Sequence, residues 1–243
     1  MSATPIKKTL IIFDFDSTIT NADSFQSTTA VLNDPEMSQN ILDRARTENW
    51  IELFNWFYVY LKSKNIPLTA IDDEMRKLPL SPGMHELFAY LRNNKASKHF
   101  DVIILSAGHS YGLNFILTHN NIIDVFDHIL CTPASVDDEG KVVTVQRYKH
   151  NCSICNPAQC KSKEYNDFIK GKEETYKKVC YVCDGGNDIC LAQILGENDC
   201  VLPRKEFKFY KKIYGEEKLI EKIKGKIVPW ENGKEIIEYL ESL

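Results

Sequence analysis

Residues 9–18, "TLIIFDFDST", set a buried strand against two charges. The apolar run of Leu10, Ile11, Ile12 and Phe13 has the length and composition of a buried strand, yet it stops at Asp14 and Asp16 with a single phenylalanine between them. Side chains two apart on an extended chain point the same way, so both carboxylates leave the strand facing one place. Two such carboxylates repel each other and resist desolvation. A cation or a reactive group is therefore expected between them.

Two more runs have the same form: "DVIIL" (101–105) stops at Ser106, and "KVCYVC" (178–183) stops at Asp184. Continuous apolar runs separated by helical patterns are what parallel strands covered on both faces look like. Ligands bind at the carboxyl ends of such sheets, so Asp14, Ser106 and Asp184 are expected to meet at one edge. Residues 23–80 break the pattern. They carry helical spacing, as in "WIELFNWFYVYLKSKN" (50–65), and they end in the punctuation of "LPLSPG" (78–83). The expected architecture is an α/β parallel-sheet core of residues 1–22 and 81–243 with a helical cap inserted at 23–80. Trp50, Phe54, Trp56, Phe57 and Tyr60 are expected to fill the interior of that cap. "DEGKVVTV" (138–145) reads as a turn leading into a strand, half of a hairpin.

The 243 residues are 43% hydrophobic and 26% charged, with 11 Gly and 9 Pro, which describes an ordered globular chain with a sizeable core. A net charge of −4 lacks the basic footprint of a nucleic-acid or anionic-membrane binder. No apolar run approaches the roughly 20 residues of a membrane span, and "MSATPIKK" opens the chain without an apolar leader. A cytoplasmic protein is expected, whose eight cysteines are thiols or metal ligands rather than a disulfide framework.

At this point the motifs carry a resemblance. "DFDST" (14–18), "LSAG" (105–108) and "DGGND" (184–188), in that order, resemble the nucleophile, phosphate-binding and metal-binding motifs of the haloacid dehalogenase (HAD) superfamily. "CTPA" (131–134), "HNCSICNPAQCK" (150–161), "PRKEF" (203–207) and "VPWENGKEI" (228–236) resemble the phosphoethanolamine/phosphocholine phosphatase-like family within it. The resemblance implies a HAD-like Rossmann-type core and hydrolysis of a small phosphorylated metabolite. Asp14 would be the nucleophile that forms an aspartyl phosphate, and Asp16 the group that protonates the leaving oxygen and then activates water. Ser106 and Lys161 would hold the phosphate oxygens. Mg²⁺ would be held by Asp14, Asp16 through its carbonyl, and Asp184, with Asp188 as a further ligand or support; hard oxygen donors suit that ion.

The loop 150–160 raises a separate possibility. Cys152 and Cys155 form a CxxC, and His150 and Cys160 could complete a tetrahedral Zn²⁺ site. The competing reading is a structural loop with buried thiols that positions Lys161. The remaining cysteines, Cys190 among them, read as core residues.

Two departures from the family pattern bear on substrate. Phe25 stands in "DSF" (23–25) where relatives carry an acid, and Ala107 stands in "SAGH" (106–109) where they carry an aspartate. Those acids would face a cationic headgroup, which leaves Asp23 and His109 as the nearby polar groups. The expected activity is a Mg²⁺-dependent phosphatase acting on a small phosphomonoester. The alternatives are an inorganic pyrophosphatase of the same fold, or an inactive phosphate-binding or zinc-stabilised interaction protein.

Overall fold

The run that opens the chain becomes β1 (Lys8–Phe13) in the computed structural model, which describes residues 7–172 and 175–243. The reading of the first residues as free of an apolar leader falls largely outside the described residues. β2 (Phe100–His109) and β6 (Tyr176–Cys183) flank β1 on either side. With β3 (His128–Thr132), β7 (Cys200–Pro203) and β8 (Lys226–Ile227) they form a parallel sheet of order β3-β2-β1-β6-β7-β8. Strand order reverses about β1, so the crevice at its carboxyl end is the place where such a sheet opens to a ligand.

Both faces of the sheet are covered, which is why its strands read as unbroken apolar runs rather than alternating ones. Leu10, Ile12, Ile103, Leu105, Val179 and Tyr181 pack on one side. Ile11, Phe13, Val102, Ile104, Cys180 and Val182 pack on the other.

Between β1 and β2 the chain is helical: α1 (Ser24–Thr28), α2 (Pro35–Ala45), α3 (Trp50–Ser63), α4 (Leu68–Lys77) and α5 (Met84–Asn94). Asp23, Asp34 and Asn49 each accept a backbone N–H at a helix start, and Pro35 occupies the first turn of α2, the ordinary chemistry of N-termini. Ile41, Leu53, Phe57 and Ile71 from this segment join the apolar cluster on the Ile11 and Phe13 face. The return point is tight. Gly83 has φ +76°, and a Cβ on Gly233 would lie 2.2 Å from the Gly83 carbonyl oxygen. The starts of α5 and α11 (Gly233–Glu241) can therefore approach only as glycines.

The turn at 138–141 does form a hairpin, β4 (Ala134–Val136) against β5 (Val142–Thr144). Asn55 of α3 grips it from above: its amide donates to the Thr144 carbonyl at 3.0 Å, and its oxygen accepts the Thr144 N–H at 2.8 Å. Between the hairpin and β6 lies α7 (Lys161–Ile169), and after β6 come α8 (Asp188–Ala192), α9 (Lys208–Gly215) and the short α10 (Glu217–Ile220). Among the described residues no helix is long and apolar enough to cross a membrane.

Candidate active site

Asp14 follows the last residue of β1, and Asp184 follows the last residue of the neighbouring β6. Immediately after Asp14 the chain turns sharply: the Phe15 carbonyl accepts the N–H groups of Thr18, Ile19 and Thr20, and Ser17 is held at φ 57°. A non-glycine residue in that region is strained, and such strain gathers at functional sites. The turn brings Asp16 back beneath α1, where its Oδ1 accepts the Ser24 N–H at 2.7 Å.

Lys161, the first residue of α7, is fully buried and reaches the same place from below the cavity floor. Its Nζ lies 2.7 Å from Asp14 Oδ1 and also bonds Asp188 Oδ1. Asp14 Oδ1 accepts the Phe15 N–H as well, at 2.7 Å. Among the described residues both donors to Asp14 thus fall on one oxygen, leaving Oδ2 to attack or coordinate. Asp188 is equally occupied. It accepts from Lys161 and Tyr181 on Oδ1, and from the Gly185 N–H at 2.7 Å and the Asp184 N–H at 3.2 Å on Oδ2. Four donors make it better suited to bracing the loop 184–188 than to ligating an ion.

The carboxylates crowd one another. Burial, reinforced by the Asp188 charge and opposed by Lys161, raises Asp14 to about 7. Burial and then the Asp23 charge raise Asp16 to about 8. Burial and the Asp14 charge raise Asp184 well above the usual range, while the Thr18 hydroxyl donates to its Oδ1 at 3.2 Å. Burial alone would pull Lys161 down, but Asp14 and Asp188 outweigh it and hold the ammonium above its ordinary value. One oxygen each from Asp14, Asp184 and Asp188 lie within 4.8 Å of one another. A buried set of hard oxygen donors carrying more negative charge than one lysine offsets fits a small divalent cation such as Mg²⁺.

Ser106 lies within β2, not beyond it as the apolar run suggested. Pairing of β2 with β3 lapses after Leu105 and resumes at His109, and the Thr132 hydroxyl donates to the Ala107 carbonyl at 3.1 Å across the gap. Ser106 Oγ accepts the Gly108 N–H at 3.1 Å. A Cβ on Gly108 would lie 3.3 Å from Ser106 Oγ and 3.5 Å from Asp16 Oδ2, so the glycine keeps open the space between them.

These groups surround a cavity of about 250 Å³ whose walls include Asp14, Asp16, Ser106, Gly108 and Asp184. Its outer part is aromatic. Phe25 meets Phe54 edge-on at 4.9 Å, and Phe54 meets His109 at 5.1 Å. Trp50, Tyr58 and Met75 complete the wall. Trp50 and Phe54 therefore differ from Phe57 in facing the cavity as well as the helical interior. His109 caps α6 (Ser110–His119), its Nε2 lies 3.1 Å from the Tyr58 hydroxyl, and burial lowers it to about 4, so it is neutral. Ala107 is buried and Phe25 half-buried, both on the wall, whereas Asp23 is exposed at the rim.

Sequence reasoning missed three residues. Tyr58 is visible in the sequence only as one more aromatic of α3. Lys208 lines the mouth and lies over Gly186, where an added Cβ would be 3.2 Å from its Cε. Arg204, from "PRKEF", is buried and donates to the Ser17 carbonyl at 2.6 Å, Asn21 Oδ1 at 2.6 Å and Ser81 Oγ at 3.0 Å. It ties the site turn to both strands of chain that lead into and out of the helical segment.

The loop cysteines also gather, but with a different fourth member. Cys152, Cys155 and Cys160 are joined by Cys190 of α8, not by His150. His150 is used by the loop itself: Nδ1 accepts the Cys152 N–H at 3.2 Å and Nε2 lies 3.1 Å from the Asn156 carbonyl, which one neutral tautomer satisfies.

Residues 9–243 match the model of the family described as Putative Phosphatase. The chain is 30% identical over 239 residues to the pyridoxal phosphate phosphatase PHOSPHO2 of Bos taurus, covering 97% of this chain and 98% of that one. It is 28% identical over 247 residues to the phosphoethanolamine/phosphocholine phosphatase of Gallus gallus, covering 100% and 91%. In fold it is similar to a phosphoserine phosphatase solved as a phospho-aspartyl intermediate analogue, with a TM-score of 0.62 and 20% identity over 96% of this chain and 99% of that one.

Proposed function

The chain belongs to the Putative Phosphatase family of the HAD superfamily and is a phosphoric monoester hydrolase, and from that premise we propose a Mg²⁺-dependent reaction through an aspartyl phosphate on Asp14, with a small phosphomonoester of uncharged or aromatic leaving group as substrate. The observation that carries this reading is the meeting of Asp14, Asp16 and Ser106 around one cavity whose remaining wall is aromatic.

In this reading Asp14 Oδ2 attacks phosphorus while Lys161 and the Phe15 N–H fix Oδ1. As the bond to the leaving oxygen breaks, Asp16 donates its proton to that oxygen, a contribution typically worth 10²–10⁴ in rate. Asp16 then takes a proton from water, which attacks phosphorus and releases Asp14. Ser106 and the backbone around Gly108 receive the phosphoryl oxygens. Asp14, Asp184 and the Asp16 carbonyl would hold Mg²⁺, which supplies charge neutralisation between nucleophile and phosphate. Asp188 keeps Lys161 and the 184–188 turn in register. Residues 23–80 act as a cap over a core of 1–22 and 81–243, supplying Phe25, Phe54 and Tyr58 as the leaving-group pocket.

The pyridoxal phosphate of the PHOSPHO2 name is a flat aromatic phosphomonoester and suits that pocket better than a compact polyanion such as pyrophosphate does. Phosphate release over a panel of metabolites, with and without Mg²⁺, tests the proposal. Aromatic or neutral phosphomonoesters should lead and EDTA should abolish turnover; turnover that persists after rigorous chelation overturns the metal role.

A further inference from the structure

We propose that Cys152, Cys155, Cys160 and Cys190 hold a single structural Zn²⁺ that fastens the loop 150–160 and the start of α7 to α8. The four Sγ atoms lie within 4.8 Å of one another. Cys190 Sγ is 3.5 Å from Cys152 Sγ and 3.6 Å from Cys160 Sγ. Four sulfurs around one zinc at roughly 2.3 Å form a tetrahedron with edges of about 3.8 Å, close to these separations. They are too long for a disulfide, whose sulfurs are about 2.05 Å apart, and all four cysteines are free. Three of the four are buried, and among the described residues no carboxylate or imidazole joins them. An all-sulfur tetrahedral set selects zinc over the oxygen-seeking Mg²⁺ of the neighbouring cavity.

Hydrogen-bond donors from the first turn of α7 converge on the sulfurs. Backbone N–H groups of Lys161, Ser162 and Lys163, in the first turn of α7, point at the sulfurs of Cys155, Cys190 and Cys160 respectively. The Ser162 hydroxyl lies 2.7 Å from Cys190 Sγ and 3.3 Å from Cys160 Sγ. Such donors are what stabilises the negative charge of a metal-bound sulfur and fixes its direction. With Cys190 rather than His150 as the fourth ligand, one ligand comes from another element and the loop need not close on itself.

The position gives the metal a task. Cys160 immediately precedes Lys161, and Cys190 lies two residues after Asp188. Zinc would lock together the two backbones that bring Lys161 and Asp188 to Asp14.

Elemental analysis of full-length protein purified without chelators tests it. About one zinc per chain is expected in the wild type and in His150→Ala, and at least a tenfold loss in Cys190→Ser. Should Cys190→Ser fail to fold, Co²⁺ exchanged into the wild type reads the ligand set directly, with the strong visible bands of a tetrahedral all-thiolate centre expected. Wild-type protein without zinc, iron in its place, a disulfide between any two of the four, a cobalt spectrum of mixed nitrogen and sulfur ligation, or zinc that persists in Cys190→Ser but leaves with His150→Ala would each overturn the proposal.

Discussion

Lys161 Nζ lies 2.7 Å from Asp14 Oδ1, and both side chains are shut away from solvent, so the ammonium bears on Asp14 from behind rather than from an open wall of the cavity. It cannot leave without stranding Asp14 and Asp188 as two buried carboxylates. Removing one partner of such a pair typically costs about 3–5 kcal/mol. Lys161→Met should therefore lower stability in urea by about that amount, and turnover by at least 100-fold. Lys161→Arg should not restore it, because a fully enclosed slot shaped for an ammonium has no room for the wider guanidinium. Near-wild-type stability of Lys161→Met would mean that the pair is not structural.

The state of Asp16 gives a pH signature. Burial and the Asp23 charge raise it to about 8, which would leave it protonated at neutral pH, as the proposed acid role requires. Turnover of alkyl phosphates should fall as pH rises through about 8, because the acid form disappears. Aryl phosphates, whose leaving groups need little protonation, should show a shallower fall. Asp16→Asn should cost 10²–10⁴ with alkyl substrates and less with aryl ones. Equal losses with both would remove the acid role, and Asp14→Asn retaining activity within tenfold of wild type would move the nucleophile elsewhere.

How much of this was legible beforehand follows physical lines. Strands buried on both faces leave continuous apolar runs, so β1, β2 and β6 could be read directly, with Asp14 and Asp184 just past two of them, whereas β2 continues past the end of its apolar run through Ser106 to His109. Lys161 was marked only by its motif, since nothing local distinguishes a buried lysine from a solvated one. Cys190 read as core because its cysteine partners lie 30 or more residues away, and separation in sequence says nothing of meeting in space. Tyr58 and Phe54 were hidden by periodicity: the spacing that buries α3 is the same whether its aromatics meet apolar neighbours or a cavity. Arg204 stood only inside the "PRKEF" motif with no role attached, because its three acceptors come from loops that only the fold brings together.

Metal and protons should compete. Asp14, Asp16 and Asp184 are all raised, so the folded protein binds more protons than the unfolded chain between the ordinary carboxylate range and about pH 7–8. Stability of the metal-free protein from these groups is then greatest at low pH and is lost as pH rises through that window. A cation replaces the protons, so the increase in melting temperature on adding Mg²⁺ should be larger at about pH 8 than at about pH 5.5. Ca²⁺, with its looser shell, should stabilise the fold yet support turnover poorly. A larger Mg²⁺ increment at the lower pH would show that the carboxylate cluster is not the binding site.

Under the proposed reaction the aromatic wall of the cavity would receive the leaving group and so bear on substrate choice. Phe25, Phe54, Trp50 and Tyr58 supply aromatic surface, His109 is neutral, and Ala107 offers no charge. A quaternary ammonium or protonated amine placed there finds no acid at positions 25 or 107, and the carboxylate left at the mouth, Asp23, is exposed to water at the rim. Losing a charged partner in a desolvated site costs about 2–5 kcal/mol, whereas a single aromatic face returns only about 0.5–2 kcal/mol. Phosphocholine and phosphoethanolamine should therefore be poorer than an aromatic phosphomonoester such as pyridoxal phosphate by at least tenfold in kcat/KM. Phe54→Ala should reduce kcat/KM for the aromatic substrate by about 2–12-fold, the worth of one aromatic pair of about 0.5–1.5 kcal/mol, and should leave a small alkyl phosphate nearly unaffected. Ala107→Asp should narrow the gap by improving the amine-bearing substrates. If phosphocholine or phosphoethanolamine ranks first with the wild type, the missing acids do not set specificity. Asp23→Asn, with a loss confined to those two substrates, would then identify the rim carboxylate as the group that recognises them.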